Sequence, residues 1–148
     1  MIIAVDFDGT IVEHAYPEIG REIPFAIDTL IRVQKEDRHQ LVLWTVREGR
    51  LLEDAVEYCR KKGLEFYAVN KNFPEEEIEI KGGCRKINAE MYIDDRNIGG
   101  LPDWGIIYKL IKNRDAAFSS FEDIVNSVGS KRKKNFFLRL GENLEKRK

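Results

Sequence analysis

Short apolar runs alternate with segments of helical periodicity along much of the chain. The apolar runs are typical of strands covered on both faces and lie at residues 1–5, 40–46, 65–69 and 89–93. Amphipathic helices are predicted to begin near Pro24 and to span residues 48–62. Strands that alternate with helices form βαβ units, so the sequence predicts an α/β fold with a parallel sheet and helices on both faces.

Further elements are predicted after the fourth strand. A fifth strand is expected at residues 104–110, and residues 119–122 resemble a capping box for a helix that ends at Gly129. We therefore assign residues 1–129 to a single domain and residues 130–148 to a basic amphipathic C-terminal tail.

The tail is strongly basic, although the whole chain has a net charge of −1. From Lys131 onward it contains eight Lys or Arg residues and two Glu residues. The favoured interpretation is a terminal helix that packs its apolar side chains on the domain. A tail that binds nucleic acid or another polyanion is the alternative, possible but not favoured.

Two features indicate a cytoplasmic protein. Cys59 and Cys84 belong to no CxxC motif and have no metal-binding histidine pattern, so we expect reduced thiols. No apolar run is long enough to cross a bilayer, and the N-terminus lacks the basic flank of a signal peptide. We therefore expect no membrane association.

His14 is expected to be a surface residue rather than a catalyst.

Acidic and hydroxyl side chains follow three of the predicted strands. Asp6 and Asp8 follow the first, Thr45 ends the second, and Asp94 and Asp95 follow the fourth. Because the carboxyl ends of parallel strands meet at one edge of the sheet, these groups are expected to lie together. Carboxylates that close repel each other unless a cation intervenes, and their hard oxygens suit Mg²⁺. The sequence therefore predicts a Mg²⁺ site that acts on a phosphoryl group.

Four motifs occur in a family's order. They are VDFDGT at residues 5–10, LVLWTVR at 41–47, a basic residue at Lys86, and YIDD at 92–95. This set resembles the haloacid dehalogenase (HAD) superfamily of phosphohydrolases. The resemblance implies a Rossmann-like, HAD-type core, Mg²⁺, and hydrolysis of a phosphate monoester through an aspartyl-phosphate.

The resemblance also implies a role for each acidic residue. Asp6 would attack phosphorus and bind the metal. Asp8 would donate a proton to the leaving oxygen, then take one from water, and would offer its backbone carbonyl to the metal. Asp94 would complete the metal site, with Asp95 assisting it or holding Lys86.

The remaining site residues contact substrate or offset charge under the same resemblance. Thr45 would hydrogen-bond a phosphoryl oxygen, and Gly9 and Thr10 would bind substrate. Lys86 would offset the negative charge, with Lys71 as the second candidate. Arg47 lies close to a helix N-terminus and is assigned either to substrate binding or to a solvent-facing first turn.

The segments that carry cap domains in this superfamily are short here, so a chain without a cap domain is expected. An open site suits a phosphorylated small molecule, a phosphorylated macromolecule end, or closure by a second subunit in a homo-oligomer. The alternative functions are a nucleic-acid-end or phosphoprotein phosphatase and, less favoured, a phospho-accepting domain similar to response-regulator receivers. The order of the acidic motifs along the chain argues against the receiver.

Overall fold

The computed structural model of the 148-residue chain describes residues 1–77 and 86–113. Its strands are β1 (Ile2–Val5), β2 (Gln40–Leu43), β3 (Ala68–Val69) and β4 (Met91–Ile93). Its helices are α1 (Ala26–Lys35), α2 (Gly49–Lys61) and α3 (Trp104–Lys112). The predicted last helix, the C-terminal tail, the boundary at residue 129 and Cys84 lie outside the described residues. Contacts divide the chain into Met1–Lys109 and Leu110–Lys148, and all predicted site residues belong to the first unit.

The four strands form one sheet in which every pair is parallel, in the order β3-β2-β1-β4. The α/β fold predicted from the alternation is thus confirmed. Strand β1 lies inside the sheet and is buried on both faces, since Ile3, Ala4 and Val5 are all at most 1% exposed. This is why the first apolar run shows no polar alternation.

The strand register brings the ends of β1, β2 and β4 level. Val5 pairs with Leu43 on one side and with Ile93 on the other. The backbone N–H of Asp6 then donates to the Ile93 carbonyl at 3.0 Å, so the pairing continues one residue beyond the strand. The residues that follow these strands therefore leave the sheet together at its carboxyl edge.

The chain reverses its direction across the sheet between β3 and β4. The right-handed rule for parallel crossovers predicts α1 and α2 on one face, and the connection from β3 to β4 joins strands at opposite edges of the sheet. The described part of that connection contains no helix, so helices on both faces remain a prediction. The reversal creates a switch point between β1 and β4, where ligands bind in open α/β sheets.

The predicted fifth strand is wrong, because residues 104–112 form α3. Trp104, Ile107 and Ile111 follow the helical spacing i, i+3, i+7, and Asp103 precedes the first helical residue. The Asp103 carboxylate accepts a hydrogen bond from the Gly105 N–H at 2.8 Å, and thus caps the helix. The apolar content of this segment suggested a strand, whereas its spacing and cap specify a helix. Among the described residues, no helix has the length and apolarity required to cross a membrane.

Candidate functional site

A tight loop follows β1 and shapes the edge of the sheet. The N–H groups of Ile11 and Val12 both donate to the Phe7 carbonyl, at 2.9 and 3.1 Å, and the Gly9 N–H donates to the Val12 carbonyl at 2.6 Å. Gly9 adopts a φ of +88°, in the region that favours glycine. The loop thus places Asp6 and Asp8 on either side of buried Phe7.

Three carboxylates meet at the switch point between β1 and β4. One oxygen each from Asp6, Asp94 and Asp95 lies within 4.8 Å of the other two. Burial, and then the negative charges of Asp94, Asp95 and Asp8, raise the pKa of Asp6 from 3.8 to about 6, although a hydrogen bond from the Phe7 backbone opposes the shift. The protein thus holds three acidic groups where one is already difficult to ionise.

Asp95 is held firmly and yet is incompletely satisfied. Its backbone N–H donates to the Thr10 hydroxyl at 3.1 Å, and its Oδ2 lies 2.9 Å from His14 Nε2. Its Oδ1 is buried and has no hydrogen-bond partner among the described residues. A buried carboxylate oxygen without a donor is costly, and a cation is the ligand that resolves it.

The donor set fits a hard divalent cation. Three carboxylates from two neighbouring strands offer oxygen ligands, and the unpartnered Oδ1 of Asp95 adds a second observation that points to a cation. Gly9 permits this arrangement, because a Cβ there would lie 2.6 Å from Asp95 Oδ2. Three of the four predicted metal-binding residues are therefore brought together, and the predicted Asp8 contact, made through its backbone carbonyl, stays a prediction.

The carboxylate of Asp8 lies apart from this cluster and pairs with Arg47. Arg47 Nε donates to Asp8 Oδ2 at 2.7 Å and Nη2 donates to Asp8 Oδ1 at 2.8 Å, which makes a bidentate pair. Asp8 is 6% exposed and Arg47 is fully buried. The hydrogen bond to Asp8 raises the pKa of Arg47 further, so the guanidinium is charged at any physiological pH.

The burial of Arg47 contradicts one of its two sequence-based interpretations, the solvent-facing first turn. Arg47 does not face solvent, and its guanidinium is occupied by Asp8 and by the carbonyls of Pro17 and Glu18, at 3.0 and 2.7 Å. Direct substrate binding by Arg47 stays an untested prediction, but the contacts give this side chain an internal role. The helix-start position suggested an anion outside the protein, whereas the carboxylate it binds belongs to the protein.

Residues 13–21 form a flap over the loop after β1. The Glu13 N–H donates to the Arg21 carbonyl at 2.7 Å and the Ile23 N–H donates to the Ile11 carbonyl at 2.9 Å, so the flap closes as a hairpin-like turn. His14 was expected to be a surface residue, and its side chain is indeed 49% exposed. It nevertheless contacts Asp95, because the fold of the flap returns it to the acidic cluster.

Thr45 follows β2, the strand that lies next to β1 in the sheet. Its backbone N–H donates to Asn70 Oδ1 at 2.8 Å, and its hydroxyl oxygen accepts from the Arg47 N–H at 3.3 Å. The hydroxyl group also has one hydrogen to donate. Asn70, which follows β3 with a φ of +52°, is a supporting residue that the sequence interpretation missed. Its position directly after a strand end was the signal.

Two other predicted substrate-binding residues are used internally. The Thr10 side chain is fully buried and accepts from the Asp95 N–H, so it supports the acidic loop. The Gly9 N–H already donates to the Val12 carbonyl. The predicted contacts of Gly9 and Thr10 with substrate stay untested. Their observed contacts fix the backbone of the loop after β1 and of the acidic loop after β4.

The structure does not decide which lysine offsets negative charge at the site. Lys86 is exposed, and its Nζ lies 5.2 Å from the centroid of the Tyr92 ring. Asp95, which the resemblance offered as a partner for Lys86, contacts His14 instead. Lys71 is partly buried after β3 and its charge acts on Glu76. The observed contacts of these lysines are with Tyr92 and Glu76 and not with the acidic cluster, so the choice between them stays open.

No family model and no curated protein matches the chain. Among solved structures, it is similar to a conserved protein coded by a locus of Bacteroides thetaiotaomicron, with a TM-score of 0.70 and 60% sequence identity. The match covers 77% of this chain and 91% of that one. At this identity and coverage, the chain belongs to the same protein family as the conserved Bacteroides thetaiotaomicron protein.

Proposed function

We propose that the protein is a Mg²⁺-dependent phosphatase that hydrolyses a phosphate monoester through an aspartyl-phosphate on Asp6. The observation that carries the proposal is the cluster of Asp6, Asp94 and Asp95, in which Asp95 Oδ1 is buried and has no hydrogen-bond partner within residues 1–77 and 86–113. A carboxylate cluster that bound no cation would lower the free energy of unfolding. A cation site beside a catalytic nucleophile would explain why these three carboxylates lie together.

Mg²⁺ held by these three residues would supply positive charge to offset the charge of the phosphoryl group. The cation would also lower the pKa of Asp6 from its metal-free value of about 6, so that the carboxylate is ready to attack near neutral pH. Asp6 lies directly after β1, whose last residue, Val5, is fully buried, so the position of Asp6 is well defined. These properties suit a nucleophile.

The reaction has two steps in this proposal. In the first, an Asp6 oxygen bonds to phosphorus as the bond to the leaving oxygen breaks, and that oxygen takes a proton from Asp8. In the second, Asp8 takes a proton from water, the water oxygen bonds to phosphorus, and the bond to Asp6 breaks. Inorganic phosphate leaves, and both aspartates return to their starting states.

The surrounding residues would hold the phosphoryl group. Thr45 has a hydroxyl hydrogen to donate, and Lys86 or Lys71 would provide the remaining positive charge. We further propose an HAD-type topology without a cap domain. The proposal is supported by the strand order, the short flap and the carboxylates at the switch point between β1 and β4.

Turnover of a generic aryl phosphate, measured by phosphate release, tests the proposal. We expect hydrolysis with Mg²⁺, loss of activity in excess chelator, and recovery when Mg²⁺ is restored. Asp6→Asn keeps the side-chain volume and should abolish turnover, whereas the matched control Glu53→Gln, at an exposed position of α2, should retain it. Full activity of Asp6→Asn or of the chelated enzyme would reject the mechanism.

A further inference from the structure

Arg47 is a fully buried cation with partners on two separate parts of the protein. One side of its guanidinium holds both oxygens of Asp8, at 2.7 and 2.8 Å. The other side donates to the backbone carbonyls of Pro17 and Glu18 in the flap, at 3.0 and 2.7 Å. One rigid, planar group therefore connects the flap to the carboxylate that acts as acid and base in the proposed reaction.

Aromatic rings complete the surroundings of this guanidinium. The Phe7 ring centroid lies 5.1 Å from Arg47 Cζ, and the ring of Tyr16, in the flap, lies 5.3 Å from it. Phe7 stands between the two aspartates of the loop, so the loop and the flap both contribute a ring. The flap has a second attachment at the site, because His14 reaches Asp95.

From this geometry we propose that Arg47 is a positioning residue that fixes the carboxylate of Asp8 and couples it to the flap. The part that concerns catalysis rests on the proposed function. A bidentate pair holds the Asp8 carboxylate in one orientation. The same guanidinium donates to the Pro17 and Glu18 carbonyls, so a displacement of Arg47 would release both the Asp8 carboxylate and the flap.

The coupling is reciprocal, which makes it measurable without any substrate. Loss of the flap contacts frees Arg47 to move, and loss of the Asp8 charge removes the partner that orients Arg47 toward the flap carbonyls. Replacement of Asp8 should therefore loosen the flap, because the Asp8 carboxylate is linked to the flap carbonyls through Arg47. A residue that only packs under the flap would not transmit this change.

Hydrogen–deuterium exchange of the flap tests the coupling. In Arg47→Lys, which keeps a charge but loses the planar fork, exchange in residues 13–21 should rise by at least about tenfold. Asp8→Asn should raise it as well, and exchange in β1 and β2 should stay unchanged. The control is Arg32→Ala. Arg32 also pairs with a carboxylate, that of Glu36, and with an aromatic ring, that of Tyr108, but it lies in the last turn of α1 and not beside the flap. Unchanged flap exchange in either test variant overturns the proposal.

Kinetics of Arg47→Ala on the aryl phosphate test the catalytic part. A misplaced acid–base group should lower kcat about 100-fold and leave KM within about threefold. Added guanidinium ion should restore part of kcat, since a groove of about 600 Å³ between the flap and α2 borders Arg47 and gives a small cation access. A rise in KM with unchanged kcat would show direct substrate binding, and would overturn positioning.

The two proposals fail in different ways. If the wild-type protein hydrolyses no phosphate ester but the flap responds to Asp8→Asn and Arg47→Lys, the phosphatase proposal fails and the coupling stands. If hydrolysis is robust but flap exchange is unaffected, the coupling fails and the phosphatase stands. Should Arg47→Ala not fold, Arg47→Lys supplies both the exchange measurement and the comparison of kcat with KM.

Discussion

Asp6→Asn should stabilise the protein when no metal is present. In the folded chain, burial and the neighbouring carboxylates raise the pKa of Asp6 from 3.8 to about 6. Between these two values the folded state binds more protons than the unfolded state, so the free energy of unfolding falls as the pH rises. Above pH 6 the ionised Asp6 costs the full difference, an upper limit of about 3 kcal/mol at 1.36 kcal/mol per pKa unit.

The variant removes this cost because asparagine has nearly the same volume and no charge. With chelator near neutral pH, we expect Asp6→Asn to melt above the wild type by up to about 10 °C, the shift that about 3 kcal/mol produces in a chain of this size. At a pH of about 4 the wild-type Asp6 is largely protonated, and the two melting temperatures should converge. Mg²⁺ should raise the melting temperature of the wild type and have much less effect on the variant.

Melting curves followed by circular dichroism, over a pH series with chelator or with Mg²⁺, measure these differences. The control Glu53→Gln removes a charge at an exposed position of α2, and should leave the pH dependence of the melting temperature unchanged. The reasoning would be refuted if Asp6→Asn melted at or below the wild-type temperature in chelator near neutral pH, because the carboxylate cluster would then carry no electrostatic cost.

Three further outcomes follow from the site. Asp8→Asn should lower kcat by about 100-fold or more on an alkyl phosphate and less on an aryl phosphate, whose leaving oxygen needs no proton; a leaving-group series measures this. Gly9→Ala should lower the melting temperature and weaken Mn²⁺ binding measured by calorimetry, since its φ is +88° and the new Cβ would lie 2.6 Å from Asp95 Oδ2. Mg²⁺ affinity, from the same method, should fall as the pH drops below about 6, because a proton then competes for Asp6.

The acidic cluster was predictable because it depends on local pattern and on sheet topology alone. Asp6 and Asp94 each come directly after a buried strand, and parallel pairing brings strand ends level. Only the ends of the first, second and fourth predicted strands had to be correct, and the wrongly predicted fifth strand lies after all of them in the chain. That error arose because apolar content was given more weight than the spacing of Trp104 and Ile107 and the cap at Asp103.

The partners of Asp8 and Asp95 were not predictable in the same way. The contact of Arg47 with Asp8 joins residues 39 positions apart, and the contact of His14 with Asp95 joins residues 81 apart. Both depend on the path of the flap, which the sequence indicated only as an irregular segment. The hydrogen-bond partner of a long polar side chain depends on the tertiary fold, and the neighbouring residues along the chain carry little information about it.

A rapid acid quench of the enzyme during turnover tests the central claim most directly. Acid preserves an acyl phosphate long enough for mass spectrometry of the intact protein and of its N-terminal peptide. With Mg²⁺ and an aryl phosphate, we predict a mass increase of one phosphoryl group, located on Asp6 and accumulated further in Asp8→Asn, which is slow to hydrolyse it. Hydrolysis that proceeds in the wild type without a phosphoryl group on Asp6, in either protein, would contradict the account.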